Sequence, residues 1–177
     1  MEEESLAIIK QLAPNLTSAE LRELTCLFCV YDLEHGEEII TEGKSSDAMF
    51  IVESGSVSVL VGKGQKQVEV VKLGPGGVVG EVSLLDPGPA SATARVFVKA
   101  RVFEFTHQSL LTFCGSSPTA AIQLLEALAK NLAVRLHKTS DAMIARDEWK
   151  LKLTDGKLQD SGLFANALTN TTPSEQA

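Results

Sequence analysis

The chain has 177 residues, of which 44% are hydrophobic and 22% charged, and this is ordinary for a globular protein with one core and an appendage. A formal net charge of −7, with no clustering of the basic residues, argues against nucleic acid or an anionic membrane surface as a partner. The acidic start and the lack of a long apolar run predict neither a targeting peptide nor a membrane span, so we expect a cytoplasmic protein.

Two short helices are predicted at the N-terminus. Leu6, Ile9 and Leu12 follow helical spacing in the first of them. Thr17 followed three residues later by Glu20 has the pattern of a capping box, which predicts that a second helix begins there.

From about Val30 the apolar period changes to two, which indicates strands. Glycine-rich or polar breaks separate the predicted strands, and one of these breaks is expected at Gly55. Because no strand alternates with a helix, a compact barrel or sandwich is favoured over a doubly wound sheet. The predicted strands contain Ile39–Ile40, Met49–Val52, Val57–Val61, Val68–Val70 and Val96–Val98.

A long helix is predicted at the C-terminal side, where Ser117 suits the N-cap and Pro118 the first helical position. Its apolar stripe is longer than one small barrel requires, so part of it is expected to pair with another chain. The stripe consists of Leu125, Leu128, Leu132, Leu136 and Met143.

Three cysteines, Cys26, Cys29 and Cys114, do not form an even disulfide framework. Cys26 and Cys29 have the CxxC spacing of zinc or redox sites, but the three histidines are scattered singly and offer no second ligand pair. Both thiols lie in an apolar stretch, so we expect them to be buried as small hydrophobes. No metal site and no resident cofactor are predicted.

Two stretches resemble the cyclic-nucleotide-binding domain family. Residues 36–43 and 47–57 look like the paired-strand segment with glycines at its turns, and residues 73–93, here called the cassette, look like the phosphate-binding cassette. The resemblance covers roughly residues 5–150. It implies a mainly β fold, a jelly-roll (double-stranded β-helix) barrel with short N-terminal helices and a long C-terminal helix.

The resemblance also implies a division of the chain. Residues 1–115 would form the β-roll domain with its N-terminal helices, and residues 116–158 a C-terminal lid and dimerisation helix. Residues 159–177 are polar and lack periodicity, so a flexible tail is expected there.

A glycine-rich turn followed by a short helical turn leaves backbone N–H groups directed at one point, where a phosphate can bind. The expected donors are Val82, Ser83 and Leu84, with Gly80 allowing close approach. In the family, the glutamate that matches Glu81 accepts a hydrogen bond from the ribose 2′-hydroxyl. An ordinary exposed turn with a helix-starting acid is the alternative interpretation of Gly80 and Glu81.

The cassette departs from the family pattern at Ala90, where the family has an arginine that pairs with the cyclic phosphate. A charge-assisted hydrogen bond contributes roughly 1.5–3 kcal/mol, so its loss is expected to weaken binding on the order of ten- to a hundredfold. Arg95 lies about 16 Å further along an extended strand and cannot replace it.

Other parts of the family's ligand site are retained. Ser91 follows Ala90 where members of the family have a phosphate-contacting serine, and Ala92 completes that side of the site. Thr139 and Ser140 on the long helix resemble a pair that contacts adenine in family members with a dimerisation helix. The alternative is that Thr139 and Ser140 are polar seam residues that fix register.

These features favour a non-enzymatic regulatory module that senses a cyclic nucleotide, cAMP or cGMP, and relays its binding through the C-terminal helix to a partner protein or a second copy. A ligand-independent dimerisation or interaction module that has lost the nucleotide site is one alternative. A receptor for another phosphorylated ligand, such as a cyclic dinucleotide, is the other. No catalytic arrangement of side chains is found, so no enzyme is predicted.

Overall fold

The computed structural model describes residues 3–62 and 64–154, with side chains for residues 5–62, 64 and 66–137. Antiparallel strands form the centre of this part of the chain and helices flank them, which confirms the predicted fold class. The helices are α1 Glu3–Leu12, α2 Ser18–Thr25, α3 Glu81–Leu85, α4 His107–Ser116 and α5 Pro118–Thr154. The strands are β1 Cys29–Leu33, β2 Glu38–Ile40, β3 Ser45–Ser46, β4 Ala48–Val61, β5 Val68–Leu73, β6 Val78–Val79, β7 Gly88–Pro89 and β8 Thr93–Thr106, and a 3₁₀ turn covers Gly64–Lys66.

Two long strands carry the sheet. β4 and β8 have 14 residues each and pair with each other antiparallel. The strand order in the larger sheet is β1-β8-β4-β5. β2 pairs with β8, β6 pairs with β4, and β3 and β7 form a separate two-stranded sheet. Each of the remaining strands of the larger sheet therefore pairs with β4 or β8, whereas β3 and β7 pair only with each other.

The predicted break at Gly55 is wrong, because β4 continues through it. The β4–β8 register shifts between Val52 and Val57, which marks a bulge rather than a turn. Gly55 has φ of 78°, and a Cβ at this position would lie 2.1 Å from the carbonyl oxygen of Lys99. The glycine signals both a turn and a bulge in sequence, and the close approach of β8 decides between them.

The core consists of two clusters on opposite faces of the long strands. Met49 and Ile51 point into a cluster with the helices, whereas Phe50 and Val52 point into the inside of the roll. Successive side chains of a strand alternate between faces, so one strand supplies both clusters. The helical cluster includes Ile9, Leu24, Leu84, Phe103, Phe113 and Leu128, and the inner cluster includes Ile40, Val57, Val79, Ala90, Ala94 and Val102.

The predicted capping box at the start of α2 is confirmed. The Glu20 N–H donates to Thr17 Oγ1 at 3.3 Å, and Glu20 Oε2 accepts from the Thr17 N–H at 2.8 Å. The hydrogen bond from the Thr17 side chain, and then that from its backbone, holds the pKa of Glu20 below its usual value.

Thr17→Ala is expected to lower the melting temperature by about 3 °C, because an alanine N-cap leaves an N–H of the first turn without its partner. The pKa of Glu20, followed by NMR titration, should rise toward its ordinary value. A carboxyl group whose pKa is lowered by folding stabilises the fold at pH values above its pKa in the unfolded chain. This contribution is lost as the pH falls through the lowered pKa. Thr17→Ser keeps the hydroxyl and serves as the control; equal melting for all three proteins would contradict the prediction.

The expectation that Cys26 and Cys29 are buried is wrong. Both thiols are free and exposed, and Cys114 is half-buried. Cys26 is the C-cap of α2, just past the last buried residue of that helix, and Cys29 lies on β1 at the edge of the sheet. Within the residues the structure describes, no group of three or more His, Cys, Asp or Glu side chains is placed to hold a metal ion.

A separate helix, α4, precedes the predicted long helix. Thr106 caps it by accepting the Ser109 N–H at 3.1 Å. Ser117 then stands between α4 and α5, and its carbonyl accepts the Ala121 N–H at 2.9 Å. Its hydroxyl donates to Glu23 on α2 at 2.6 Å, so the expected N-cap position is right but the side chain bonds elsewhere.

The first turns of α5 enter the helical cluster through Ala120, Ala121, Leu124 and Leu128. This buried face shares Leu128 with the predicted stripe, whereas Leu125 is only partly buried and Leu136 is 67% exposed. The chain divides into two compact units, Met1–Asn131 and Leu132–Ala177, with α5 crossing the boundary. None of the helices in the described part is both long and apolar enough to cross a membrane. The predicted tail at 159–177 lies outside the described residues.

Candidate functional site

The cassette begins with a tightly packed glycine. Gly80 is the N-cap of α3 and has φ of 83°, in the left-handed region that favours glycine. A Cβ at Gly80 would lie 2.5 Å from the Ala48 carbonyl oxygen and 2.9 Å from Ile40 Cδ1. Both the backbone conformation and the packing therefore require glycine, and they press the start of α3 against the start of β4.

The short helix α3 turns one face into the protein. Glu81, Ser83 and Leu84 are buried, with Glu81 only 5% exposed, whereas Val82 is exposed. An acidic side chain is favoured at a helix N-terminus, but a carboxyl group is seldom this buried without partners. The burial of Glu81 excludes the alternative in which Gly80 and Glu81 form an ordinary exposed turn.

Hydrogen bonds within α3 reduce the number of backbone amides that can bind a phosphate. The Leu84 N–H donates to the Gly80 carbonyl at 3.0 Å, and the Asp86 N–H donates to the Val82 carbonyl at 2.8 Å. Leu84 was expected to offer its amide to a phosphate, but that amide is used within the helix and the side chain lies in the helical cluster. The amides of Val82 and Ser83 precede this first intrahelical bond.

We call Gly80 with α3 the first limb of the cassette, and β7 with the following residues 90–92 the second limb. The second limb is held by β3. β7 pairs with β3, and the pairing continues as the Ala90 N–H donates to the Lys44 carbonyl at 2.9 Å and the Gly43 N–H donates to the Ala90 carbonyl at 2.8 Å. After it, Ser91 is exposed and Ala92 half-buried. Ser91 and Ala92 thus follow directly on a segment with a fixed backbone.

The two limbs meet at the inner cluster. Val79, next to Gly80, and Ala90 both belong to it, together with Ile40 and Ala48. The structure therefore brings the residue before α3 and the Ala90 segment into one apolar cluster. The predicted contacts of Thr139 and Ser140 lie outside the described side chains.

The side chain of Ala90 is 6% exposed and lies among apolar groups, so residue 90 itself supplies no charge to the cassette. Arg95 is engaged elsewhere: its Nη2 lies 2.7 Å from Glu38 Oε1. The Arg95 hydrogen bond, followed by that of Thr41, lowers the pKa of Glu38. Arg95 is thus paired with Glu38, and it was already expected to lie too far along the strand to replace the family's arginine.

One residue beside the cassette was not singled out from the sequence. His107, the first residue of α4, places Nδ1 2.7 Å from the carbonyl oxygen of Leu84 at the end of α3. A single histidine between a strand and a helix gives no signal of such a contact. The tertiary packing of α4 beside α3 creates it.

A cavity of about 600 Å³ lies away from the cassette residues, and three of its polar side chains are bonded to each other. The Ser5 hydroxyl donates to Glu53 Oε1, and Arg101 Nε lies 3.1 Å from Glu53 Oε2. These bonds fasten α1 to β4 and β8, so the cavity has a structural explanation. Its lining consists of Ser5, Thr25, Cys26, Phe28, Val30, Glu53, Arg101 and Phe103.

Comparison with known proteins agrees with this geometry. The family model described as "Cyclic nucleotide-binding domain" matches residues 31–117, which contain the whole cassette. A "CRP-like cAMP-activated global transcriptional regulator" of Mycobacterium tuberculosis is 28% identical over 103 residues, which are 57% of this chain and 46% of that protein. The chain thus spans about half the length of this curated relative.

Solved structures show the same fold. A cyclic nucleotide-binding domain from Methylobacillus flagellatus has a TM-score of 0.74 at 20% identity, over 81% of this chain and 84% of the other. The Thermus thermophilus catabolite activator protein has a TM-score of 0.68 at 26% identity, over 77% of this chain and 62% of the other. From the matched family, the shared fold and the cassette, we conclude that this chain belongs to the cyclic nucleotide-binding domain family.

Proposed function

We propose that the domain is a non-enzymatic regulatory module that binds a cyclic nucleotide, cAMP or cGMP, in the cassette. The observation that carries the proposal is the conformation at the start of α3. Gly80 is fixed there by its left-handed φ and by contact with Ala48, and Glu81 is buried beside it. These constraints give the start of α3 one fixed conformation, which is what a backbone phosphate site requires. The similarity to a cAMP-activated transcriptional regulator supports the choice of ligand.

In the proposed complex the cyclic phosphate accepts hydrogen bonds from the amides of Val82 and Ser83 at the start of α3. Gly80 lets the phosphate approach the backbone. Glu81 accepts a hydrogen bond from the ribose 2′-hydroxyl, and Ser91 and Ala92 approach the phosphate from the other limb. The charge supplied by arginine in the family is missing at Ala90, so we expect weak binding, with backbone dipoles replacing part of that charge.

We further propose that residues 116–158 relay the signal. Ligand contacts that form only when the C-terminal helix is closed would shift a two-state equilibrium toward the closed form. Thr139 and Ser140 would contact the base, and the apolar residues of α5, among them the exposed Leu136, would pair with a second copy or a partner protein. A ligand can shift this equilibrium only by its differential affinity for the two states.

The burial of Ala90 favours a second function, a ligand-independent interaction module. A small apolar residue in the inner cluster stabilises the ligand-free domain, whereas a buried arginine without a phosphate would destabilise it. In this case the fold is retained for docking or dimerisation through α5. Substitutions in the cassette that keep the fold would then leave the activity unchanged.

Calorimetric titration with cAMP, cGMP and a cyclic dinucleotide separates these functions. We expect saturable binding of a cyclic mononucleotide to the wild type, and binding at least tenfold weaker to Glu81→Gln, because the neutral amide accepts a weaker hydrogen bond than the carboxylate. Glu126→Gln removes an exposed carboxylate that pairs with Lys130 on α5, away from the cassette, and is the matched control.

The absence of saturable binding up to millimolar concentrations of all three ligands would decide against the sensor. Equal affinity in the wild type and Glu81→Gln would decide against the proposed site in the cassette. Binding of the cyclic dinucleotide alone would keep the cassette as a ligand site but replace the proposed ligand.

A further inference from the structure

We propose that His107 is the positioning residue that couples the cassette to α4, an inference that rests on the proposed function of the cassette. Its imidazole reaches the end of α3, and its backbone reaches the connection between β3 and β4. A movement of either limb of the cassette is thereby passed to the first residue of α4.

The contact at α3 satisfies a group that the helix leaves open. The Leu84 carbonyl is among the last of α3 and has no partner within that helix, because the last four carbonyls of any helix lack one. His107 Nδ1 lies 2.7 Å from this oxygen, so Nδ1 carries the proton and donates. The bond fixes the ring and holds the C-terminal end of α3.

The backbone of His107 holds the other limb. Its N–H is among the open donors of the first turn of α4, and it donates to the Asp47 carbonyl at 2.7 Å. Asp47 directly follows β3, and β3 is the strand that pairs with β7 of the cassette. His107 therefore bonds at one end to α3 and at the other to the segment that supports β7.

The Leu84 side chain reinforces the same connection. It is fully buried in the helical cluster, together with Leu110 and Phe113 of α4. Apolar contact has no preferred direction, whereas the hydrogen bond from His107 has one, so it adds a directional restraint between α3 and α4. We infer that a phosphate bound at the start of α3 changes the position or mobility of α4 through this bond.

Isosteric substitutions test the bond itself. The side-chain amide nitrogen of Asn occupies the position of Nδ1, whereas that of Gln lies further from the backbone. His107→Asn should therefore keep the donor at Leu84, and His107→Gln and His107→Ala should lose it. His35 is the matched control, because its Nδ1 lies 2.6 Å from the Phe97 carbonyl, in a contact that involves neither α3 nor α4.

Hydrogen exchange of the Leu85 and Asp86 amides, measured without ligand, reports on the anchor at α3. We expect about three- to tenfold faster exchange in His107→Gln and His107→Ala than in the wild type, and wild-type rates in His107→Asn and His35→Ala. If His107→Ala does not fold, the comparison of Asn with Gln gives the same information. Equal rates in Asn and Gln variants would overturn the proposal.

Exchange with saturating cAMP reports on the coupling. In the wild type and His107→Asn, cAMP should alter exchange in both α3 and α4, and in His107→Gln the change should stay within α3. A change in α4 that persists in His107→Gln overturns the role of His107 while the proposed function stands. If cAMP does not bind the wild type, the proposed function fails, and the ligand-free exchange rates still decide whether His107 anchors α3.

Discussion

Gly80→Ala should destabilise the domain by about 2–5 kcal/mol and weaken the binding of cAMP more than tenfold. An alanine with left-handed φ costs roughly 1–2 kcal/mol, and forcing an extra methyl group into a packed site adds roughly 1–3 kcal/mol. The new Cβ would meet the Ala48 carbonyl oxygen at 2.5 Å, so either α3 or the start of β4 has to move. Urea unfolding gives the stability, and calorimetry gives the affinity.

Gly43→Ala is the matched control for this change. Gly43 has φ of 80°, but a Cβ there has no atom within 4 Å. We expect it to lose only the roughly 1–2 kcal/mol of the backbone conformation, so the difference between the variants isolates the contact at Ala48. Equal destabilisation by the two substitutions would show that the close packing of Gly80 is unimportant.

Ala90→Arg is expected to tighten cAMP binding on the order of ten- to a hundredfold, because it restores the charge-assisted hydrogen bond to the cyclic phosphate. The same substitution should lower the melting temperature without ligand, since it places a cation against the inner cluster that Ala90 joins. Saturating cAMP should recover the loss, because a ligand that binds only the folded state stabilises it. A titration and a thermal-shift series check both effects.

Ala90→Met controls for the added volume, because it brings a long side chain without a charge. It should destabilise the ligand-free domain and leave the affinity for cAMP low. If Ala90→Arg binds cAMP no better than Ala90→Met, the missing charge is not the defect of this cassette. The interaction module then becomes the better account of the chain.

The elements with local causes were predicted well. The capping box of Thr17 and Glu20 involves two residues of one turn, and the turn formed as expected. The alternating valines of β4 and β8 gave the mainly β fold, and the order of Gly80, Glu81 and Ala90 located the cassette. Each of these patterns depends on neighbours in the chain, which a sequence displays directly.

The errors share a different cause. Gly55 was expected to end a strand, but the close approach of Lys99, 44 residues later, makes it a bulge in a continuous β4. Cys26 and Cys29 were expected in the core, but their apolar neighbours Phe28 and Leu24 fill it while the thiols face outward. Both outcomes depend on which face of an element the rest of the chain covers.

The sequence by itself determined the class of the fold, the position of the cassette and the lack of a charge at Ala90. The tertiary structure decided that the Leu84 amide is used within α3, that Ala90 lies in an apolar cluster, and that His107 joins α3 to α4. Backbone propensity and apolar period are local properties, whereas the partner of a given carbonyl or methyl group depends on segments far apart in the chain. Only the folded chain brings those segments together.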